Sequence, residues 1–389
     1  MSSQSDFFNA KDSAFNSVEA RFMASLDNTW ADVERKVRRM AGQIGDKSPH
    51  VAKDGVYDDM RVDWWTSGFW PGILWIMYDM TGDVAFRDQA WEWDARIEQC
   101  LVRESNLHHD VGFQFLPTAV LKYRITGDAD GRRRGLQAAN FLAGRFNIAG
   151  SFLRAWNQDK TGWAIIDCSM NLSLLFWAAE EIADPRFRHI ACAHAGTVLR
   201  HFIREDGSVR HIVSFDPETG EFLEALGGQG FGPDSGWSRG QAWALYGMAN
   251  THRFTGEARY LNAAKRVAHY FLASLEPDHV PLWDFRTGGG ASSEPRDTSA
   301  ASCAASGLLE LAKLVPAAEA GFYRNAALRI LASLTERYAS LGEAGGQELL
   351  REGTGNKPAG QNVNVGLIYG DYYYVEALAK LKDWSRTVF

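Results

Sequence analysis

The chain has 389 residues, of which 46% are hydrophobic and 23% charged, which is typical of a folded globular protein and not of a disordered one. The net charge of −7 and the lack of a basic run argue against nucleic acid as a general partner. No apolar run reaches membrane-spanning length, and the N-terminus lacks a signal-peptide pattern, so we expect no membrane association. The four scattered cysteines form no C-x-x-C pair, which favours reduced thiols in a cytoplasmic protein.

Two kinds of predicted helix alternate strictly along the chain. The amphipathic, charged kind covers Thr29–Ile44, Phe86–Glu104, Asp130–Phe146, Arg186–Ile203, Ala258–Leu275 and Ala318–Tyr338. The apolar kind covers Trp65–Tyr78, Gly112–Thr126, Asp167–Ile182, Trp237–Phe254, Thr298–Leu314 and Gly366–Lys382. Because apolar helices belong inside and amphipathic helices outside, the alternation predicts an all-α toroid of six helix pairs.

The loops differ in length in a regular way. Short turns such as Thr81-Gly82-Asp83 follow the first four apolar helices, whereas long loops rich in Gly, Trp, His and Asp usually follow the charged helices. The long loops should therefore gather where the inner helices begin, which is where a site is expected. The longest, Arg204–Gly236, predicts a β-hairpin. We expect one domain over 29–389, preceded by an arm over 1–28.

Two acidic residues stand at predicted starts of inner helices, Asp110 and Asp167. The simpler interpretation of Asp167 is a helix N-cap, and the alternative is a catalytic acid in a cavity. A carboxylate pair is the usual equipment of glycosidic chemistry. A helix N-terminus lowers an Asp pKa, whereas a general acid needs it raised, so burial or repulsion from the other Asp would have to dominate.

Three other motifs are weaker. Gly236–Gly240 matches G-x-S-x-G, but the glycine-rich residues before it cannot form the buried strand which that nucleophile motif needs. His108-His109-Asp110 suggests a metal site only weakly, because adjacent side chains are expected to point in different directions. Gly353–Lys357 lacks the spacing of a phosphate-binding loop and is predicted to be a flexible loop.

Four motifs together resemble the unsaturated glucuronyl hydrolases of glycoside hydrolase family 88. They are Trp65–Gly72, His109–Phe113, Ile165–Leu172 and Gly236–Trp243, and the match runs from about Trp65 to about Leu378. The resemblance implies an (α/α)6 barrel, in agreement with the six helix pairs, and neither metal nor organic cofactor. With the loop pattern above, we expect long loops and a small β-hairpin at the active-site end. The resemblance further implies an oligosaccharide substrate whose non-reducing end is a Δ4,5-unsaturated uronic acid left by a lyase.

The resemblance also implies a reaction and its residues. An acid protonates C4, water adds at C5, and the hemiketal opens and releases the rest of the sugar. Asp167 is similar to the residue that first protonates C4 as an acid and then activates water as a base. Asp110 is similar to the second essential carboxylate. The implied sugar contacts are His211, Gly227, Gln229, Arg239 and Trp243, the implied aromatic walls are Trp65, Phe69, Trp156 and Trp237, and Tyr369 is a looser match.

Several alternatives stay open from sequence. Thr354 and Lys357 could contact a sulfate, and chondroitin, hyaluronan, heparin, gellan and xanthan fragments all remain candidate substrates. The related unsaturated rhamnogalacturonyl hydrolases share the barrel. A sugar 2-epimerase would use histidines as acid and base, for which His211 is thin support, and a non-catalytic sugar-binding barrel would not need both aspartates. The oligomeric state is not predicted.

Overall fold

The computed structural model describes residues 17–287, 293–343 and 345–389. Its outer helices are α1 (Val18–Ile44), α3 (Val84–Ala90), α4 (Trp93–Val102), α7 (Ala129–Ala143), α9 (Pro185–Thr197), α11 (Ala258–Ala273) and α13 (Ala317–Ser333). Its inner helices are α2 (Phe69–Thr81), α5 (Val111–Phe115), α6 (Leu121–Thr126), α8 (Cys168–Glu181), α10 (Ser238–Thr255), α12 (Thr298–Leu314) and α14 (Ile368–Leu381). Turns of π-helix at Leu116–Val120, Val198–Phe202 and Leu334–Tyr338 join α5 to α6 and extend α9 and α13.

The inner helices form a closed ring, since each packs on the next and α14 packs on α2. Burial explains the two layers: α10 buries every residue from Ser238 to Thr251, whereas α11 buries mainly one stripe that includes Tyr260, Ala264 and Val267. Gly82, Gly127 and Gly256 end three inner helices in the left-handed conformation. The predicted (α/α)6 barrel is confirmed. Across the described residues, every helix is too short or too polar to traverse a lipid bilayer.

The first helix begins earlier than predicted. Helix α1 begins at Val18, not at Thr29, because the buried residues Phe22 and Leu26 continue its apolar stripe towards the N-terminus. Residues 18–28, predicted to be part of an arm, are therefore helical and packed. Residues 1–16 of that arm lie outside the described residues.

Short β-strands cover one end of the barrel. The predicted hairpin is confirmed as β6 (Ile212–Phe215) and β7 (Phe222–Leu226), and β5 (Trp163–Ile165) pairs with β6. A second sheet was not predicted and joins β2 (Val56–Tyr57), β1 (Val51–Lys53), β9 (Gln361–Leu367) and β8 (Gly353–Asn356) in that order. A small hairpin pairs β3 (Phe146–Asn147) with β4 (Phe152–Leu153).

The expectation of a flexible loop at Gly353–Lys357 is wrong. Gly353 pairs with Val365 and Thr354 with Val363, so most of this segment is strand β8. Its glycines and polar residues hide the strand because the pairing comes from the backbone, not from an alternating apolar pattern. Strand β9 also takes Gly366 and Leu367 from the start predicted for α14.

Candidate active site

A cavity of about 300 Å³ opens where the inner helices begin. Its lining consists of Asp63, Trp64, Trp65, Asn106, His108, His109, Asp110, Trp156, Ile165, Asp167, Gln229 and Arg239. Half of these were predicted as site residues, namely Trp65, Asp110, Trp156, Asp167, Gln229 and Arg239. Convergent polar groups among aromatic side chains are typical of a ligand pocket.

Asp167 immediately precedes α8, yet its side chain does not cap the helix. Its Oδ2 atom is buried and has no hydrogen-bond partner. Burial raises the pKa of Asp167 to about 7, against the opposing effect of the Arg239 guanidinium. Asp167 therefore occupies the N-cap position without the side-chain capping that the simpler interpretation expected, and burial outweighs the effects that lower its pKa.

Asp110 immediately precedes α5 and is tied to the Asp167 segment by one amide. Asn171 Nδ2 donates to Asp110 Oδ1 at 3.1 Å and to the Asp167 carbonyl at 3.2 Å. Gly112 permits this approach, because a Cβ there would lie 2.5 Å from Asn171 Oδ1. Burial, and then repulsion from Asp167, raise the pKa of Asp110 well above its usual range, although the Asn171 hydrogen bond opposes this.

Arg239 connects the inner helices to strand β8. Its Nη1 donates to Asp297 Oδ2 at 2.7 Å and to the Thr354 carbonyl at 2.6 Å. Its Nη2 donates to the Gly355 carbonyl at 2.6 Å and to Gln229 Oε1 at 3.2 Å. The side chain is 2% exposed, so these bonds compensate a nearly complete loss of hydration.

We expect Arg239→Lys to lower the free energy of unfolding by about 2 kcal/mol and to raise KM. An ammonium group cannot reproduce the planar set of four hydrogen bonds, so acceptors are left unpaired in a buried place. Urea unfolding and substrate titration would measure both effects. Arg186→Lys, at an exposed ion pair with Asp184, is the matched control and should change stability by less than about 0.5 kcal/mol. Equal stability of the two variants would contradict this role of Arg239.

The predicted aromatic residues occupy two depths. Trp65 and Trp156 line the cavity, and the Trp65 ring lies 4.8 Å from that of Tyr369. Phe69 and Trp243 have no exposed surface, and both rings pack on Phe113. Their predicted roles, as an aromatic wall and as a sugar contact, are therefore wrong in this structure. Trp243 lies one helical turn further along α10 than Arg239, and at that depth its side chain is in the barrel core and out of reach of the cavity.

Trp237 and Tyr369 are also buried and lie behind the cavity. The Arg239 guanidinium carbon is 4.6 Å from the Trp237 ring centre and 5.4 Å from that of Tyr369. These two rings thus hold the cation instead of forming the pocket surface.

His211 lies beside Asp167 and contacts the loop of Gly227 and Gln229, which were predicted as site residues together with it. The Gln229 amide N–H donates to His211 Nδ1 at 2.8 Å, and the Gly227 carbonyl lies 3.2 Å from the same atom. The donor at 2.8 Å is closer than the carbonyl at 3.2 Å, which favours a ring proton on Nε2, 3.8 Å from Asp167 Oδ2. Burial lowers the pKa of His211 to about 3, so the imidazole is neutral near pH 7.

Thr354 and Lys357 differ in access. Thr354 is 1% exposed and its hydroxyl donates to the Arg296 carbonyl at 2.7 Å, so the suggested sulfate contact is wrong for this side chain. Lys357 is half-buried, with Nζ 5.9 Å from the centre of the Trp283 ring.

Several cavity residues adjacent to the predicted ones were not predicted from the sequence. Asp63 and Trp64 precede Trp65 and line the same cavity. His108 and His109 converge with Asp110, since one donor atom from each lies within 4.8 Å of the others. The sequence-based reason for discounting a metal there, that these side chains diverge, is therefore wrong, and the absence of a metal stays a prediction. Their position directly before a selected aspartate was the available signal.

The G-x-S-x-G serine has a structural role. Ser238 is fully buried at the start of α10, and its hydroxyl donates to the Trp283 carbonyl at 3.0 Å. A hydroxyl committed in this way does not present a nucleophile to the cavity.

Comparisons with known proteins agree with this architecture. The profile of Glycosyl Hydrolase Family 88 matches residues 36–389. The chain is 38% identical over 351 residues to an unsaturated glucuronyl hydrolase of Bacillus sp. (strain GL1), covering 87% of this chain and 92% of that one. It is 37% identical over 342 residues to an unsaturated chondroitin disaccharide hydrolase of Streptococcus pyogenes serotype M1, covering 86% of each.

A solved structure shows the same fold. The crystal structure of the unsaturated glucuronyl hydrolase from Bacillus sp. GL1 superposes with a TM-score of 0.89 at 36% identity, covering 92% of this chain and 97% of that one. The family profile, the relatives and the fold agree over most of the chain. The chain therefore belongs to glycoside hydrolase family 88 and is a glycoside hydrolase.

Proposed function

We propose that the protein hydrates the C4=C5 double bond of a Δ4,5-unsaturated glucuronic acid at the non-reducing end of a lyase-generated oligosaccharide. The observation that carries the proposal is the Asp167 carboxyl: buried, without a hydrogen-bond partner on Oδ2, and with a pKa of about 7 in the cavity wall. A pKa near the working pH lets one group first donate and then accept a proton.

The proposed reaction uses Asp167 twice. Its carboxyl proton goes to C4, and the positive charge that develops at C5 and the ring oxygen is quenched by water. The water gives its hydroxyl to C5 and its other proton to Asp167, which restores the acid. The C5 hemiketal then opens, and the hemiacetal left at C1 breaks its bond to the aglycone oxygen. Asp110 is the second carboxyl group of the site.

The size and lining of the cavity support a terminal sugar as ligand. About 300 Å³ is at the small end of ligand pockets, which suits one ring with the remaining sugars outside. Trp65 and Trp156 offer apolar faces, and Arg239 provides positive charge. The relatives named above act on unsaturated glucuronyl and chondroitin disaccharide substrates. We propose glycosaminoglycan or similar acidic fragments as the substrate class.

Product analysis in D2O tests the reaction. Lyase-generated chondroitin disaccharide absorbs in the ultraviolet through its double bond, and hydration removes this absorbance while placing one deuterium at C4. We expect loss of absorbance in step with release of the amino sugar, and one deuterium at C4 by mass spectrometry. Release of the amino sugar with the double bond intact would mean displacement at the anomeric carbon and would reject the proposal.

The histidines weigh against the epimerase alternative. Burial lowers the pKa of His211 to about 3 and that of His108 to about 4, so both are weak bases near neutral pH. An unsaturated rhamnogalacturonyl substrate would give the same absorbance loss and is separated by comparing the two disaccharides as substrates. The lack of a cofactor, of a nucleic-acid partner and of membrane association, and the cytoplasmic location, remain predictions.

A further inference from the structure

We propose that His109 is a positioning residue that holds a proton on Asp110, through an imidazole lone pair directed at the Asp110 carboxyl. This inference rests on the proposed function insofar as it concerns catalysis. The geometric part concerns one ring and its neighbours and can be measured without substrate.

The Ala155 carbonyl fixes which nitrogen of His109 carries the ring proton. His109 Nδ1 lies 2.8 Å from this oxygen, and a carbonyl can only accept, so Nδ1 must be the protonated nitrogen. Arg145 Nη2 donates to the same carbonyl at 3.0 Å, and the His109 amide lies 3.3 Å from it. The acceptor is therefore held from three sides, which fixes the ring orientation.

The other nitrogen of the ring is left facing Asp110. His109 Nε2 is 3.1 Å from Asp110 Oδ1, is buried, and has no N–H donor directed at it. A lone pair beside an ionised carboxylate oxygen would be repulsive in a buried place, so a proton must lie between the two atoms. The neighbouring His108 ring stacks at 5.0 Å on His109, which disfavours a positive charge on either imidazole.

The proton therefore belongs to Asp110. Burial lowers the pKa of His109 well below its usual value, and burial with repulsion from Asp167 raises that of Asp110. The groups that act on Asp110 are His108 and His109 before it, Asp167, Cys168 and Asn171 at the start of α8, and Arg145 after α7. Of these, Asn171 and Arg145 lower its pKa, and burial outweighs them. We infer that Asp110 is a neutral acid when substrate binds, so that of the two carboxyl groups in the cavity wall only Asp167 changes charge near neutral pH.

This arrangement has a consequence for the pH dependence. The form competent to protonate C4 carries a proton on both carboxyl groups. Without the His109 acceptor, Asp110 ionises at a lower pH. The doubly protonated form is then lost by ionisation of Asp110 as well as of Asp167. The apparent pKa on the alkaline side of the kcat/KM profile must then fall.

Two amide substitutions separate this role from a merely structural one. His109→Asn keeps a donor near the position of Nδ1 for Ala155 but offers no acceptor to Asp110, whereas His109→Gln can place Oε1 near the position of Nε2. We expect the Asn variant to lose about 10–100-fold in kcat/KM at pH 6, because the Asp110 carboxyl is no longer held in its position. We also expect up to about tenfold more loss at pH 8, the equivalent of one hydrogen bond of about 1.4 kcal/mol.

The Gln variant should recover most of the loss and the wild-type pH profile. An unchanged pH profile in the Asn variant, or a Gln variant poorer than Asn, would overturn the proposal, because the contact with Ala155 would then be the one that matters.

Nitrogen-15 NMR of histidine-labelled protein tests the geometry separately, with the His109 signals assigned by their loss in His109→Gln. We expect a neutral ring protonated on Nδ1 from pH 5 to pH 8, and the same state in Asp110→Asn, whose amide can donate to Nε2. A ring protonated on Nε2, or a charged ring, would overturn the proposal. An inactive wild type with the expected tautomer would instead reject the proposed function.

Discussion

Asp167→Asn is expected to lower kcat on unsaturated chondroitin disaccharide by at least about a thousandfold, with little change in KM. The amide fills the same space but cannot give a proton to C4 or take one from water. General acid–base catalysis by a positioned group contributes roughly 10²–10⁴-fold, and here one carboxyl serves both steps. Loss of ultraviolet absorbance under saturating substrate measures kcat directly.

A matched control separates this effect from a change of net charge. Asp159→Asn removes a carboxylate from an exposed position in the loop that carries Trp156, and its kcat should stay within about twofold of wild type. The pH profile of the wild type should show activity falling above about pH 7, where Asp167 loses its proton. An Asp167→Asn variant with more than a tenth of wild-type kcat would remove Asp167 from the role of acid.

The same substitution should stabilise the protein at alkaline pH. The folded-state pKa of Asp167 is about 7 and its ordinary value 3.8, so between these values the folded state binds a proton that the unfolded state lacks. Stability from this group is therefore present below about pH 4 and is lost as the pH rises to about 7. The loss reaches at most about 4 kcal/mol. Asp167→Asn removes this dependence.

Chemical unfolding at pH 5 and pH 8 measures the effect. We expect the stability of Asp167→Asn relative to wild type to be about 2–3 kcal/mol more favourable at pH 8 than at pH 5. No difference between the two pH values would show that the Asp167 carboxyl is well solvated.

Asp371→Asn is the contrasting variant for this experiment. Asp371 also has a pKa raised to about 7 by burial, but its carboxyl accepts hydrogen bonds from the Tyr57 hydroxyl and from the Leu349 and Leu350 amides. Its amide analogue would turn an NH2 group towards these donors. We therefore expect Asp371→Asn to destabilise the protein by about 1–3 kcal/mol at pH 5, whereas Asp167→Asn leaves no hydrogen-bond donor of Oδ2 unpaired and does not destabilise it. The contrast distinguishes the Asp167 carboxyl, whose Oδ2 has no hydrogen-bond partner, from the Asp371 carboxyl, which accepts hydrogen bonds that stabilise the fold.

The helical layers could be predicted because their signal is local. The apolar run after Asp167 and the amphipathic stripe of α11 each follow from residue spacing. Strand β8 could not be predicted, because its order depends on pairing with Val363 and Val365 and on a guanidinium more than a hundred residues away. Position in a three-dimensional fold likewise decides whether a tryptophan contacts ligand, as the contrast between Trp65 and Trp243 shows.

The site was predictable in its acids and not in their surroundings. The motifs predicted Asp110 and Asp167 as the two acids of the site, and both line one cavity in the structure. The amide of Asn171 and the lone pair of His109 depend on ring and rotamer orientation, which spacing does not encode. The pKa of Asp167 is raised by burial and lowered by the positive end of the helix dipole. Which effect is larger depends on how deeply the cavity wall buries the carboxyl, and the sequence does not show that.

Strand β8 is held at the cavity through its main chain, since Arg239 contacts the carbonyls of Thr354 and Gly355 and not their side chains. These two bonds need only the main chain, although a Cβ at Gly355 itself would lie 2.9 Å from Asn362 Cβ. The turn that follows, Lys357–Gly360, is largely exposed, and we expect its exchange to leave the helices that follow Asp110 and Asp167 in place. We expect this hairpin to be the part of the molecule most amenable to loop grafting, with the chemistry retained while the preference for neighbouring sugars is altered.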